Sequence, residues 1–205
     1  MNESKIDLSA LFRIEYGLYI LTTNDGEKDN GCIVNSVMQV TGNPPRVAVC
    51  VNKKNYSCET ILRTLKMNIN CLTKDTPFGA VKRFGFQSGR NTDKFSGMSP
   101  SRSKNGLAVT EEFCNAFISL SAEQTIDLGT HTMFVCSVDE AASLSSRDTL
   151  TYTEYRKNIK TKPAAAKKKA YVCKICGYIY EGEELPPDYI CPLCKHDASA
   201  FEPME

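Results

Sequence analysis

The stretch "YGLYILTTNDGEKDNGCIVNSVMQVTG", Tyr16–Gly42, carries β-rich runs on either side of an Asp25-Gly26 turn. After a Pro-Pro break, "PRVAVCVN", Pro45–Asn52, is another short apolar run, so consecutive antiparallel strands are expected. Further strands are expected at "NAFISLSAEQTID" (Asn115–Asp127), "HTMFVCSVDEA" (His131–Ala141) and "TLTYTEY" (Thr149–Tyr155). Two helices interrupt them. One is predicted from about Asn55 to Met67, with Ile61, Leu62 and Leu65 at helical spacing; the other begins at Thr76-Pro77, a cap followed by a first-turn proline. Many strands and few helices favour a mainly β fold, a β-barrel with peripheral helices, over a parallel α/β sheet.

Composition narrows the rest. The 205 residues suit one medium domain plus a small module. No basic leader runs into an apolar stretch, and the longest apolar runs fall far short of a membrane span, so a cytoplasmic protein with no membrane contact is expected. The net charge of +1 hides three blocks. Residues 1–156 carry 17 basic and 17 acidic side chains, 157–169 carry six lysines and no acid, and 170–205 carry two lysines and seven acids. An acidic module behind a basic spacer is not a nucleic-acid footprint. The Lys/Ala-rich run 157–169 lacks a periodic apolar face and reads as a solvated linker with a root-mean-square span of roughly 20 Å.

Ten cysteines fall into two groups. Cys32, Cys50, Cys58, Cys71, Cys114 and Cys136 are scattered singly through apolar stretches and read as reduced core residues. Cys173-x-x-Cys176 and Cys191-x-x-Cys194 supply four thiolates from two tight turns, as tetrahedral coordination requires. Spacing alone leaves zinc and iron both open. With four thiolates present, His196 is not needed as a ligand.

The surrounding text, "YVCKICGYIYEGEELPPDYICPLCKHDASAFEPM", with Gly177, recurring aromatics and Pro192 inside the second pair, resembles rubredoxin. That resemblance implies one iron held by Cys173, Cys176, Cys191 and Cys194, cycling between ferric and ferrous. Two departures stand out: only 14 residues separate the pairs, as in the tail of rubrerythrins, and Lys195 stands where a glycine is usual.

Upstream, no G-x-G-x-x-G follows the first strand, so a dinucleotide-binding Rossmann fold has no support. "NGCIVNSVMQVTGNPPRVAVCVNKKNYSCETI", "FGFQSGRNTDKFSG" and "LGTHTMFVCSV", in that order, resemble the flavin reductase-like split β-barrel family, which includes flavoredoxin. The resemblance implies FMN as cofactor, NAD(P)H as electron donor and a homodimer. Lys53, Lys54, Asn55 and Ser57 lie at a helix start, where free N–H groups, the helix dipole and ammonium groups favour the FMN phosphate. Asn35, Ser36, Val37, Gln39 and Thr41 match the family's strand and loop beside the flavin ring, and Ser88, Gly89, Lys94 and Phe95 its loop over the flavin. His131 matches a G-D-H-T pattern whose histidine lies near flavin and nicotinamide, with Thr130 replacing the acid. Hydride transfer needs alignment more than an acid or base, so His131 is a candidate only and no essential catalytic residue is assigned.

A split barrel over 1–156, a linker over 157–169 and a rubredoxin-like domain over 170–205 together resemble the high-molecular-weight rubredoxins, a family of fusions in anaerobes. The resemblance implies electron flow from NAD(P)H through FMN to the iron, and on to a partner such as a flavodiiron protein reducing oxygen or nitric oxide. The rival readings are a free-flavin or ferric reductase with an accessory tail, and a zinc-ribbon interaction module without redox activity.

Overall fold

The computed structural model describes residues 6–159, 170–182 and 184–204. The opening β-rich stretch forms a hairpin of β1 (Tyr19–Asn24) and β2 (Asp29–Val34), paired from Tyr19 opposite Val34 to Asn24 opposite Asp29. Short polar side chains fix its turn. Asp25 Oδ1 accepts from the N–H groups of Glu27 and Lys28, and Gly26 takes φ +103°, a conformation that a Cβ would strain. The Lys28 N–H is the largest influence holding the Asp25 carboxyl down at about 2.

A second hairpin joins β3 (Val37–Gly42) to β4 (Pro45–Asn52). After β5 (Lys66–Leu72) and a small ribbon of β6 (Ser101–Arg102) and β7 (Ala108–Val109), the chain forms the long hairpin β8 (Cys114–Asp127) and β9 (His131–Ser143). Seven strands make one sheet in the order β2-β1-β5-β8-β9-β4-β3. The strands expected to pair consecutively do so within each hairpin, but β2 and β3 do not pair. They stand at opposite ends of that order although only Asn35-Ser36 separates them. A link that short bridges only about 10 Å, so the sheet ends must meet. The sheet is therefore a barrel, split at the seam between β2 and β3. Its interior holds Leu21, Val49, Val51, Ile61, Met67, Ile69, Leu120 and Phe134.

The helices are shorter than their apolar spacing suggested. α1 spans Tyr56–Thr64 and stops at Leu65, which takes φ +56° and returns its N–H to the Ile61 carbonyl at 2.7 Å. Met67 belongs to β5, whose residues pair with both β1 and β8. Only Ile61 of the expected stripe is buried; Leu62 and Leu65 are exposed, and the inward face is Ser57, Cys58, Thr60 and Ile61. α2 spans Phe78–Gly85 with Pro77 at the cap, so the helix starts one position later than expected. Thr76 instead donates its hydroxyl to the Phe113 carbonyl. α2 turns Val81 and Phe84 onto a second core containing Leu18, Ile20, Leu72 and Tyr155.

"TLTYTEY" is not a strand. Thr149 and Thr151 make single bridges to Thr73 and Gly17, and Tyr152–Glu154 is a helical turn. Thr151 accepts from Glu154 N–H while the Glu154 carboxylate accepts from Thr151 N–H, a reciprocal cap that wins over local β preference. A wider turn continues through Tyr155–Ile159, so the first residues of the predicted linker are helical; 160–169 lie outside the described residues.

Cys32, Cys58, Cys114 and Cys136 are buried as free thiols, and Cys50 and Cys71 are half-buried. Beyond the linker, β10 (Ala170–Cys173), β11 (Ile179–Glu181) and β12 (Phe201–Met204) form a separate sheet with β10 in the middle. Tyr180, Tyr189, Phe201 and Tyr178 pack in sequence with ring centroids 4.6, 5.4 and 6.3 Å apart. Among the described residues no helix is long and apolar enough to cross a membrane.

Candidate functional site

Two turns bring the paired cysteines together. In the first, Cys173 N–H donates to the Tyr178 carbonyl and Gly177 N–H to the Cys173 carbonyl, both at 2.7 Å. In the second, Cys191 N–H donates to the His196 carbonyl at 2.7 Å and Lys195 N–H to the Cys191 carbonyl at 2.9 Å. The residue after each pair is left-handed: Gly177 at φ +69° and Lys195 at φ +63°. The two knuckles thus repeat one geometry. They place the Sγ atoms of Cys173, Cys176, Cys191 and Cys194 within 4.8 Å of one another, with Cys173–Cys194 and Cys176–Cys191 at 3.5 Å. A tetrahedral metal with metal–sulfur bonds of about 2.3 Å wants sulfurs about 3.8 Å apart, so the donor set fits. A cation at the centre suits four sulfurs in this contact, because coordinated thiols are deprotonated outright.

The barrel contributes a cavity of about 370 Å³, within the range of small-molecule sites. Asn30, Cys32 and Ile33 of β2 form one side, the start of α1 from Lys54 to Ser57 a second, and the segment Phe84–Gly89 with Lys94 a third. The fourth side comes from the tail: Ile190, Cys191, Pro192, Leu193 and Lys195. Metal knuckle and barrel cavity share a wall.

The cavity suits an anion at one end. α1 begins there with Asn55 at the cap, and the Asn55 side chain makes no capping bond. The first N–H groups of a helix have no partner within it and favour negative charge. Lys54, Lys94 and Lys195 add ammonium groups to the same lining. Lys94 is 3% exposed and donates to the Gly31 carbonyl at 2.7 Å and the Phe84 carbonyl at 3.0 Å; burial lowers it to about 8. Ser57 accepts at Oγ from Asn30 Nδ2 at 3.0 Å, which ties the first turn of α1 to β2.

Residues 11–160 match the model of the flavin reductase like domain, and residues 171–202 match the rubrerythrin, rubredoxin-like domain. The chain belongs to the flavin reductase-like family. It is 34% identical to the high molecular weight rubredoxin of Moorella thermoacetica, over 96% of this chain and 99% of that one. It is 33% identical to a ferric-chelate reductase (NAD(P)H) of Archaeoglobus fulgidus, over 73% of this chain and 89% of that one. The NADH:FAD oxidoreductase of Streptomyces globisporus C-1027 shares the fold, with a TM-score of 0.61 at 18% identity over 74% of this chain and 90% of that one. A flavin reductase-like domain joined to a rubredoxin-like domain makes this a flavin- and iron-dependent oxidoreductase with an electron-transfer role.

Of the residues that the flavin reductase-like resemblance singled out, Lys54, Asn55, Ser57, Ser88, Gly89 and Lys94 line the cavity. The others lie elsewhere. Lys53 turns outward to an ion pair with Asp127 at 2.5 Å. Phe95 faces the second core, with its ring 5.3 Å from Phe84. Asn35 and Ser36 form the seam link, where Ser36 Oγ donates to Asn35 Oδ1, and Val37 starts β3. Gln39 and Thr41 are exposed on that edge strand, donating to the Thr41 and Pro44 carbonyls respectively. His131 sits opposite Asn52 in the β4–β9 ladder and outside the cavity lining. Its Nδ1 lies 2.9 Å from Thr130 Oγ1, so the hydroxyl takes the place beside the ring where the family pattern has an acid; burial lowers the imidazole pKa.

Sequence reasoning missed Asn30, Cys32, the Phe84–Gln87 segment and the whole tail wall. Asn30 and Cys32 carry no local signal beyond β alternation. Only the Lys195 anomaly hinted that the second knuckle meets something.

Proposed function

We propose that the protein passes electrons from NAD(P)H through FMN in the barrel to a mononuclear Fe(Cys)4 centre in the tail, and on to an acceptor protein of the flavodiiron class. The barrel over 1–156 holds the FMN, 170–205 hold the iron, and 157–169 tether the two. The observation that carries this reading is the shared wall: Cys191, an iron ligand, lines the same cavity as the phosphate cradle at Lys54–Ser57. When bound, the two groups supply the conversion of a two-electron hydride into single electrons.

The chain's part is placement. The open start of α1 and Lys54 bind the phosphate end, and Gly89 lets its loop approach Asn30 closely enough to shape the opposite wall. Pro192 and Leu193 set apolar surface beside Cys191 in that wall. Backbone N–H groups in the two knuckles and the aromatic core of the tail tune the metal. No proton-transfer residue is required, and His131 is left as a positioning candidate near the start of α1. Exposed Met38 and Val40 on the β3 edge are consistent with a homodimer. The Archaeoglobus relative favours a second reading, a ferric or free-flavin reductase in which the tail is accessory.

The test is the visible spectrum of the purified protein with metal and FMN analysis, followed by anaerobic NADH or NADPH. Bleaching of both flavin and iron bands is expected. A colourless, zinc-loaded tail defeats the iron reading, and flavin lost on gel filtration favours the free-flavin alternative.

A further inference from the structure

The tail meets the barrel through its metal end. At the first knuckle, Tyr152 donates its hydroxyl to the Cys176 carbonyl at 3.0 Å, and the Tyr178 ring lies 5.6 Å from Phe86. The Arg156 guanidinium sits so close to Gly177 that a Cβ there would lie 3.2 Å from Nη2. At the second knuckle, Lys54 donates to the Lys195 carbonyl at 3.5 Å, and Cys191–Leu193 close the cavity. Both knuckles therefore face the barrel.

We propose that the cavity rim is a docking surface for the metal end of the chain's own tail, and that an external acceptor protein takes this same knuckle face. Resting on the electron-transfer reading above, the two contacts are then mutually exclusive. The tail takes up one electron while docked and hands it on only when undocked. Docked, it also closes the cavity, so a nicotinamide enters when the tail is away. The partner implied is a one-electron acceptor drawn in by the net acidic charge of the tail, seven acids against two lysines.

Hydrogen exchange on the full-length, oxidised protein tests this without nicotinamide or turnover, so failure of docking and failure of the electron relay are read separately. Tyr152→Phe removes only the hydroxyl bonded to Cys176. Loss of one such bond is worth about five-fold in the docked population, and exchange at 54–58 and at 190–195 rises together by about that factor. Tyr152→Glu opposes the Cys176 carbonyl with a carboxylate and gives a larger rise; should it unfold the barrel, the phenylalanine variant decides. Cytochrome c, a basic one-electron acceptor, serves as the external probe: it protects 190–195 and at the same time exposes 54–58. Unchanged exchange at both segments in Tyr152→Phe overturns the docking surface. Protection of 190–195 by cytochrome c without exposure of 54–58 overturns mutual exclusion.

Discussion

Gly89→Ala is the sharpest probe of the cavity. A Cβ at Gly89 would lie 2.6 Å from Asn30 Cγ and 3.1 Å from its Nδ2, closer still to Oδ1, where ordinary carbon contacts are about 3.5–4.0 Å. Asn30 cannot step aside freely. It is 1% exposed, and its Nδ2 holds Ser57 Oγ at 3.0 Å, so retreat breaks the link between β2 and α1. Overpacking costs about 1–3 kcal/mol. Losing the buried bond adds about 1 kcal/mol. The sum, about 2–4 kcal/mol, corresponds to a fall in Tm of roughly 10 °C for a chain of this size. Thermal unfolding followed by circular dichroism measures it, and flavin titration reports the disturbed start of α1 as weaker binding. Adding Asn30→Ala makes room for the new methyl, so the double variant loses less than the sum of the singles, with a coupling of about 1–2 kcal/mol. A Gly89→Ala protein within about 0.5 kcal/mol of the parent would refute the close approach, since that is the scatter of neutral substitutions.

Other outcomes follow from the same geometry. Cys176→Ser, or chelation of the metal, abolishes the visible iron band and unfolds the tail while leaving barrel circular dichroism intact, because a metal held by the folded site and not by the unfolded chain adds its binding free energy to folding. Lys54→Ala raises the FMN dissociation constant about 10- to 100-fold if its ammonium meets the phosphate, and the loss shrinks as salt is added; equilibrium titration at two ionic strengths checks both. Lys94 gives a pH signature. Its folded pKa of about 8 lies below the usual lysine value of 10.5, so from about pH 8 upward the unfolded chain binds the extra proton and stability rises with pH. The shift corresponds to about 3 kcal/mol at full extent. Cys71, pushed by burial to about 11, and Cys114 and Cys136, to about 12, act oppositely: their folded pKa values are raised, and stability falls as pH climbs past 9. Comparing denaturant midpoints of the parent and Lys94→Met between pH 7 and 9.5 isolates the lysine; identical slopes would contradict the assignment.

The strands and the metal knuckles were legible because their signals are local. Asp25-Gly26 announces a hairpin, and two C-x-x-C pairs announce a four-sulfur site, whatever surrounds them. The closure of the barrel was not legible, because it rests on β2 and β3 failing to pair across Asn35-Ser36, a matter of sheet order. Local β preference misread Thr149–Tyr155, where the Thr151–Glu154 cap decides. For α1, Leu62 and Leu65 mimicked a buried stripe, yet the helix presents Cys58 and Ile61 to the barrel and ends before β5. The cavity was half legible: the helix start with its lysines, which lines one end, was singled out from the sequence, while the other wall comes from residues more than 130 positions away, which no motif joins to it.

That distant wall accounts for the unequal residues of the two knuckles. Gly177 and Lys195 occupy equivalent left-handed positions, and a side chain there costs about 1–2 kcal/mol. At the first knuckle a side chain is doubly unfavourable, because the Arg156 guanidinium crowds a Cβ there, with Nη2 at 3.2 Å. At the second knuckle the space opens onto the cavity. Lys195 lines it and curls its ammonium onto the Pro192 carbonyl at 2.7 Å, while its own carbonyl accepts from Lys54. That bond offsets part of the strain and leaves a cation in the wall between the cavity and the four sulfurs. A free-standing module has no cavity for such a cation to line and no gain to set against the strain, so glycine suits both of its knuckles.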